Sequence, residues 1–551
     1  MHGLMQDRPL SLPLLMDGLE GRFSHKTVST QHVEFRTTVT YGELGQRIRR
    51  LAGVLDRLGI PRSARVGSFG WNSQRHLELY VAVPCTSRIL HTINHRLFAD
   101  DIAYIVNDAQ DDVLFVDRSI LDVVWPLIDR FDTVRHLIVM DDGPGPHVPN
   151  DPRVHDYEEL LAAAEPVTTF DVPDERTAAA LCYTSGTTGR PKGVLYDHRS
   201  IVLHAMTLLM TDTFAIGERD VIMPIVPMFH VNAWGLPYAA MMSGACLVLP
   251  GRATQPAQLA ETIEAAHVTF AAAVTTIWRG MLPHLHGRQL SALRRLVSGG
   301  GPLPASLSRQ YDERIGVPLS SSWGMTETSP LVCSARIPSD QTALADRIET
   351  LCLPGPPVPL TALRLQLEDG TFAPHDGVAS GELQVAGPTI AGDYYGHTDG
   401  SAAFTDDGWL RTGDVATIDP RGFVRIVDRT KDLIKSGGEW ISSVELENAI
   451  MTSPDISEAA VIGTPHDKWG ERPLACVVPI DGSEITPESV RTHLHGLIAS
   501  WWIPDEVVIL DEIPKTPTGK IAKIALRQHI TGVASGTHPR VDIQPDPTNT
   551  F

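Results

Sequence analysis

The sequence predicts an α/β chain of more than one domain: a large N-terminal domain with parallel-rich sheets, a β-rich subdomain, and a small α+β domain at the C-terminus. Three observations carry this. The chain has 551 residues, more than one hydrophobic core ordinarily accommodates. Through most of its length, short apolar runs rich in β-formers alternate with helical patterns, the cadence of helices layered on a sheet. From residue 378 the pattern shifts to shorter strands separated by glycines.

The elements follow in order. Residues 64–69 read as a strand and 73–83 as the helix after it. Further strands are expected at 113–116, 136–140, 221–225, 245–249, 268–274 and 293–297, several apolar throughout, as strands buried on both faces should be. Ile201, Val202, Ala205, Leu208 and Leu209 fall at helical spacing behind Ser200, the expected N-cap. The apolar stretch 234–249 contains Pro237 and Gly244 and falls short of the ~20 residues of a membrane span. It reads as a buried helix running into a buried strand. Glycines 381, 387, 392, 396 and 400 punctuate the β-rich subdomain, which ends before 428. Beyond it, 443–451 reads as a helix and 459–463 and 474–479 as strands. The tail from about 533, rich in Pro, Asp, Thr and Gly, has little to bury and is expected to be disordered. There is no internal repeat.

Composition narrows the function classes. Acidic residues outnumber basic ones by 66 to 46, for a net charge of −20, which argues against general affinity for nucleic acid or anionic membrane. Any anionic ligand must be held by local donors. The six cysteines are scattered, without a CxxC pair or zinc-like spacing, and read as reduced thiols of a cytoplasmic protein. The apolar run 10–16 is short and contains Pro13, unlike a signal peptide.

The most informative segment is Tyr183-Thr184-Ser185-Gly186-Thr187-Thr188-Gly189-Arg190-Pro191-Lys192-Gly193-Val194, directly after an apolar run. Small hydroxyl residues and glycines let successive N–H groups and hydroxyls face a polyphosphate without obstruction, and Lys192 adds a point charge. A flexible surface turn is the ordinary reading of such a composition, but the ordered string favours a phosphate cradle. It is not a Walker A loop, whose spacing it lacks. A strand, not a helix, is expected after it, so no helix dipole assists.

This string resembles the signature loop of the acyl-adenylate-forming superfamily, which includes acyl-CoA synthetases, luciferases and peptide-synthetase adenylation domains. The resemblance covers nearly the whole chain and continues, in order, at four more motifs. In Ser321-Ser322-Trp323-Gly324-Met325-Thr326-Glu327-Thr328, Glu327 matches the family's magnesium ligand, and one carboxylate suits a cation held mainly by phosphate oxygens. Thr184 is the second metal contact implied. Trp323 stands where Tyr is commoner, so it is expected to flank the adenine without a phenol hydrogen bond. In Trp409-Leu410-Arg411-Thr412-Gly413-Asp414, Asp414 matches the acceptor of the ribose hydroxyls. The segment from Val427 to Trp440 resembles the domain junction: Arg429 supports the ribose, Lys431 occupies the hinge, Lys435 and Trp440 border the nucleotide, and Gly437 and Gly438 admit the pantetheine arm of CoA. Finally, Pro514-Lys515-Thr516-Pro517-Thr518-Gly519-Lys520-Ile521 resembles the C-terminal loop whose last lysine, Lys520, enters the adenylation site.

The implied domains are 1–428, a hinge at 429–431, and a mobile C-terminal domain at 432–551. The implied reaction is ATP-dependent activation of a hydrophobic carboxylic acid, with a medium- or long-chain fatty acid favoured, first as the acyl-AMP and then as the acyl-CoA. Lys520, Lys431, Glu327 and Thr184 are the implied catalytic residues. The nucleotide site comprises residues 184–189, Lys192, Gly300, Gly301, Ser322, Trp323, Gly324, Met325, Thr326, Asp414, Arg429, Lys431, Lys435, Trp440 and Lys520. The implied acyl pocket is His230, Val231, Trp234, Trp278, Gly301 and Met325, with Trp234 as a tunnel gate; for His230 and Trp234, core packing is the alternative. ATP, Mg2+ and CoA are the expected cofactor and co-substrates, and a homodimer is compatible with the family. The chain carries no convincing Ser–His–Asp or Cys–His motif, and this chemistry requires none. Residues 84–88 are bulky where relatives often have glycines, and His95 stands where Pro is usual, which leaves open a branched, aromatic or polycyclic acid. Transfer to a carrier protein or amine is the other alternative.

Overall fold

Two large sheets share a layer of helices between them. The computed structural model describes residues 3–184, 190–341, 343–396, 402–437, 439–480, 482–516 and 520–534. The seven-stranded sheet runs, edge to edge, Val154–Asp156, His136–Met140, Asp111–Asp117, Arg65–Phe69, Ile89–Thr92, Ala178–Tyr183, Gly193–Asp197. Its pairs are parallel except the last. The eight-stranded sheet is parallel through its centre and antiparallel at both edges. Helices Tyr41–Arg57, Gln74–Cys85, His198–Leu209 and Leu236–Ser243 contribute to one buried apolar cluster with strands of both sheets. Burial on both sides explains why so many strands are uniformly apolar.

Local signals start these helices. Thr40 and Glu43 form a reciprocal capping box at the head of Tyr41–Arg57, and Ser73 caps Gln74–Cys85. The helix expected to begin at Ser200 starts earlier, at His198. Asp197 is its cap, accepting from Ser200 N at 2.7 Å, so Ser200 is the residue capped and not the cap. The stretch 234–249 is the buried helix Leu236–Ser243 followed by the strand Cys246–Leu249. Among the described residues no helix is long and apolar enough to cross a membrane.

The β-rich subdomain is a four-stranded antiparallel sheet of Ala362–Gln366, Gly381–Ala386, Leu410–Ile418 and Val424–Arg429. It begins before residue 378, because Ala362–Gln366 completes the sheet, followed by a turn at Asp369-Gly370, with Gly370 at φ +84°, that lies ahead of the glycines from Gly381 onward. The C-terminal sheet is longer-stranded than expected: Ile456–His466 and Gly470–Pro479 pair antiparallel, with helix Ser443–Ile450 packed on the first of them. At the junction, Asp428 Oδ2 accepts from both the amide and the hydroxyl of Ser443 at 2.6 Å. Helix Lys523–Ala534 overlaps the start of the tail expected to be disordered; the remainder of that tail lies outside the described residues.

The two large sheets are tied where their parallel strands end. Asn72, just beyond Arg65–Phe69, donates to Pro224 O and Val226 O at 2.8 and 2.9 Å and accepts from Met228 N at 2.7 Å. That seam lies outside the carboxyl ends of the strands, where open α/β sheets place their ligands.

Candidate active site

The phosphate loop is the connection between two antiparallel strands, as its sequence implies, with Tyr183 opposite Gly193. Thr184 N donates to Lys192 O at 2.9 Å, and Lys192 N donates to Thr184 Oγ1 at 3.3 Å, closing the loop at its base. Ser185, Gly186, Thr187, Thr188 and Gly189 at its tip lie outside the described residues, as does Gly438. Lys192 is exposed, and its Nζ sits 4.7 Å from the centre of the Tyr394 ring.

Glu327 sits in a single tight turn, Thr326–Thr328, after the strand Leu319–Gly324. The turn is fixed on several sides. Tyr196 OH donates to Thr326 O at 2.5 Å, Ala391 N to Glu327 O at 2.8 Å, and Ser329 Oγ to Thr389 O at 2.8 Å. Gly324 is obligatory, since a Cβ there would lie 1.7 Å from Pro330 O. The Glu327 carboxylate is 6% exposed, accepts from Tyr394 OH at 2.7 Å and forms no salt bridge among the described residues. Buried carboxylates are ordinarily paired or bound to metal. Among the described residues no three metal-ligating side chains cluster. A lone buried carboxylate beside a phosphate loop fits a magnesium ion that takes most of its ligands from phosphate and water, and fits no all-protein cage.

Asp414 is 2% exposed in Leu410–Ile418 and has both oxygens engaged. Arg429 Nε lies 3.1 Å from Oδ1, and Trp323 Nε1 donates to Oδ2 at 2.9 Å. Trp323 was expected to forgo the hydrogen bond of a phenol; its indole N–H instead orients the Asp414 carboxylate. Burial pushes Asp414 above the usual carboxylate range, with Arg429, Trp323 and Lys520 opposing.

Lys520 comes from the C-terminal domain into this same crevice. Its Cε lies 3.0 Å and its Nζ 3.7 Å from where a Cβ on Gly300 would stand, so a side chain at Gly300, which has φ +81°, would collide with it. Burial and Arg429 push the ammonium down to about 8, against the pull of Asp414 and Glu327. His230 is driven down to about 3, first by burial and then by Lys520, so it is neutral. The structure thus brings Lys520, Glu327, Asp414, Gly300 and His230 together from five separate stretches of chain.

The acyl side departs from anything periodicity implies. Val231, Asn232, Ala233 and Trp234 all have left-handed φ, from 47° to 56°, followed by Gly235 at 71°. For L-residues each such position costs roughly 1–2 kcal/mol. The Trp234 ring lies against Gly299, where a Cβ would come within 2.8 Å of its Cη2. Among the described residues nothing comes within 4 Å of the Cβ position of Gly301, and the buried Ser322 hydroxyl has no hydrogen-bond partner. Met325 N bonds Thr328 Oγ1 at 2.9 Å, which holds the turn. Trp278 stands apart: fully buried, it donates to Val297 O at 3.0 Å within the second apolar cluster.

Other proposed residues lie on the C-terminal side. Lys431 is exposed, and desolvation lowers it from the usual lysine value. Lys435 Nζ lies 5.0 Å from the Trp440 ring, and Gly437, at φ +63°, packs under Trp469, whose ring a Cβ would meet at 2.9 Å. Sequence reasoning missed Tyr394, Asn72 and Arg279. Arg279 reaches from the N-terminal side to Ser457 O and Met451 Sδ of the C-terminal domain. None belongs to a charge pattern or recognisable string, and only contacts reveal them.

Residues 21–395 match the family model for AMP-binding enzymes, and residues 445–520 match that for the AMP-binding enzyme C-terminal domain. A long-chain-fatty-acid–CoA ligase of Thermus thermophilus is 46% identical over 97% of this chain and 98% of its own. A 3-methylmercaptopropionyl-CoA ligase of Ruegeria lacuscaerulensis is 41% identical over 97% of this chain and all of its own (100%). Among solved structures, ATP-bound MatB from Rhodopseudomonas palustris superposes with a TM-score of 0.82 at 26% identity, covering 95% of this chain and 99% of that one.

Proposed function

The chain belongs to the AMP-binding enzyme family and is an AMP-forming acid–thiol ligase using ATP and CoA; from that premise we propose that its acid is a medium- or long-chain fatty acid. The observation that carries the chemistry is the meeting of Lys520 with Glu327, Asp414 and Gly300 in one crevice.

A carboxylate resists attack because its charge repels nucleophiles and its leaving oxide is too basic. The site answers by orientation and charge neutralisation, without a protein nucleophile. Asp414 and Arg429 hold the ribose, Trp323, Gly324 and Met325 border the adenine, and residues 184–189 with Lys192 cradle the phosphates. Lys520 lies where it neutralises charge on the acid and the α-phosphate as the acid's oxygen attacks phosphorus and pyrophosphate departs. Glu327 and Thr184 would hold magnesium, which when bound neutralises phosphate charge. In the second step the CoA thiolate attacks the acyl carbonyl and AMP leaves. For this step the C-terminal domain turns about 429–431, withdrawing Lys520 and presenting Gly437 and Gly438 to the pantetheine arm. Among the described residues, contacts across this hinge include Val427 and Asp428 to Ser442 and Ser443, and Arg279 reaches Met451 and Ser457 farther out.

For the acid, support comes from the apolar side chains of Val231 and Trp234 beside the crevice, from the neutral state of His230, and from the fatty-acid ligase among the relatives. The 3-methylmercaptopropionyl-CoA ligase favours a short thioether acid as the second reading. A pyrophosphate-release screen with CoA separates them, using saturated acids of graded length, 3-methylmercaptopropionate, and branched and aromatic acids. Thioester formation greatest with medium or long chains is expected. A preference for the short thioether acid, or acyl-AMP without thioester, overturns the proposal. We also propose a cytoplasmic location and a homodimer, the latter tested by sedimentation.

A further inference from the structure

The segment 391–395, between the strand Gly381–Ala386 and the rest of the β-rich subdomain, touches two motifs at once. At one end Ala391 N donates to Glu327 O, and at the other Tyr395 N donates to Gly193 O, each at 2.8 Å. Between them Tyr394 reaches both functional side chains. Its hydroxyl donates to Glu327 Oε1 at 2.7 Å, and its ring face lies 4.7 Å from Lys192 Nζ. Phe404 packs edge-on against the same ring, with centroids 5.8 Å apart.

A cation and a carboxylate that share one neighbour could pair with each other, yet neither Lys192 nor Glu327 forms a salt bridge among the described residues. The tyrosine satisfies each separately: the lysine by the negative face of the ring, the carboxylate by the hydroxyl. One Glu327 oxygen is thereby committed to the phenol, and no hydrogen bond to the other is made among the described residues. We propose that Tyr394 is a positioning residue that keeps Lys192 and Glu327 from neutralising one another, so that both meet the nucleotide and its metal already oriented. This rests on the reading of the crevice as a magnesium–ATP site. It goes beyond it by assigning the metal-dependent part of nucleotide affinity to a residue outside the five motifs that the sequence analysis singles out.

Isothermal titration calorimetry of the full chain with ATP, in magnesium and in chelator, tests it alongside thermal melting. Loss of one hydrogen bond to a charged group should make Tyr394→Phe bind magnesium–ATP about tenfold more weakly, while chelated ATP changes by less than about twofold. Tyr394→Leu removes the ring as well, so Lys192 falls onto Glu327 and chelated ATP also weakens; adding Glu327→Gln should restore that part. Equal losses in magnesium and chelator for Tyr394→Phe, or a lowered melting temperature with no change in either affinity, overturn the proposal. Wild-type protein that binds no ATP overturns the underlying reading. Wild type that binds magnesium–ATP, with Tyr394→Phe unchanged, overturns this inference alone.

Discussion

The side of the crevice proposed for the nucleotide and the side proposed for the acid are held by different means. On the nucleotide side every anionic group is anchored: Asp414 by Trp323 and Arg429, Glu327 by Tyr394 and by backbone bonds around its turn. On the acyl side four consecutive residues sit in left-handed backbone, and a tryptophan lies on a glycine. The first arrangement suits chemistry common to every acid, since charge neutralisation tolerates no slack. The second suits selection, because strained backbone clusters at ligand clamps and switch regions. Strain of this kind is a property of backbone dihedrals.

Breaking the nucleotide side should have the largest effects. Lys520→Ala is expected to lower the adenylation half-reaction by about 10²–10³-fold, the scale of losing one preorganised donor. Thioester formation from supplied acyl-AMP should be nearly unaffected if Lys520, as proposed, acts only at the α-phosphate step. Equal loss in both half-reactions, followed by pyrophosphate exchange and by thioester release, rejects that role. Next in size, Asp414→Asn should raise KM for ATP about 10–100-fold, since it weakens a charged acceptor and leaves Arg429 without its partner. An unchanged KM would place the ribose elsewhere.

The pH profile sharpens the same side. With Lys520 pushed down to about 8, the free enzyme loses that charge as pH rises through 8, and kcat/KM for ATP should fall above it. Stability moves the other way. The folded value lies below the ordinary 10.5, so between the two the unfolded chain binds more protons and this group favours the folded state increasingly as pH rises. Activity that falls while the melting temperature holds is therefore the expected signature, and a profile flat from pH 7 to 10, on the order of three units across that shift, contradicts it.

These effects also mark what was legible. The residues proposed for phosphate and ribose stand out in the sequence because such chemistry calls for particular types in a particular order: glycines and hydroxyls at 184–189, a carboxylate at Glu327, an acceptor at Asp414. The strands were legible for a similar reason, since burial on both faces demands continuous apolar runs such as His136–Met140. Ser200 misled because a serine at a helix start looks like a cap, while Asp197, three residues earlier, is the better acceptor and took the role. Trp278 looked like a pocket residue but packs in the core, and one aromatic in a sequence does not reveal which face it serves. Tyr394 and Asn72 were invisible because they act through contacts between segments far apart in the chain.

On the acyl side the expected effects are smaller. Gly235→Ala places a Cβ at φ +71° and 2.4 Å from His204 Nδ1, on a ring whose Nε2 already accepts from Leu331 N. Overpacking plus left-handed backbone should destabilise the fold by about 2–5 kcal/mol, read by calorimetry. Unchanged stability would mean that the turn is free to move.

The most direct test of the division between the two sides is Trp234→Ala, with acid binding measured with and without ATP and melting followed in parallel. If Trp234 closes the acyl tunnel until nucleotide binds, long or bulky acids should enter the variant more easily and depend less on prior ATP, while ATP affinity is unchanged and the protein stays folded. A loss of about 3–5 kcal/mol in stability, with acid preference and binding order as in the wild type, would make Trp234 a core residue and contradict the account.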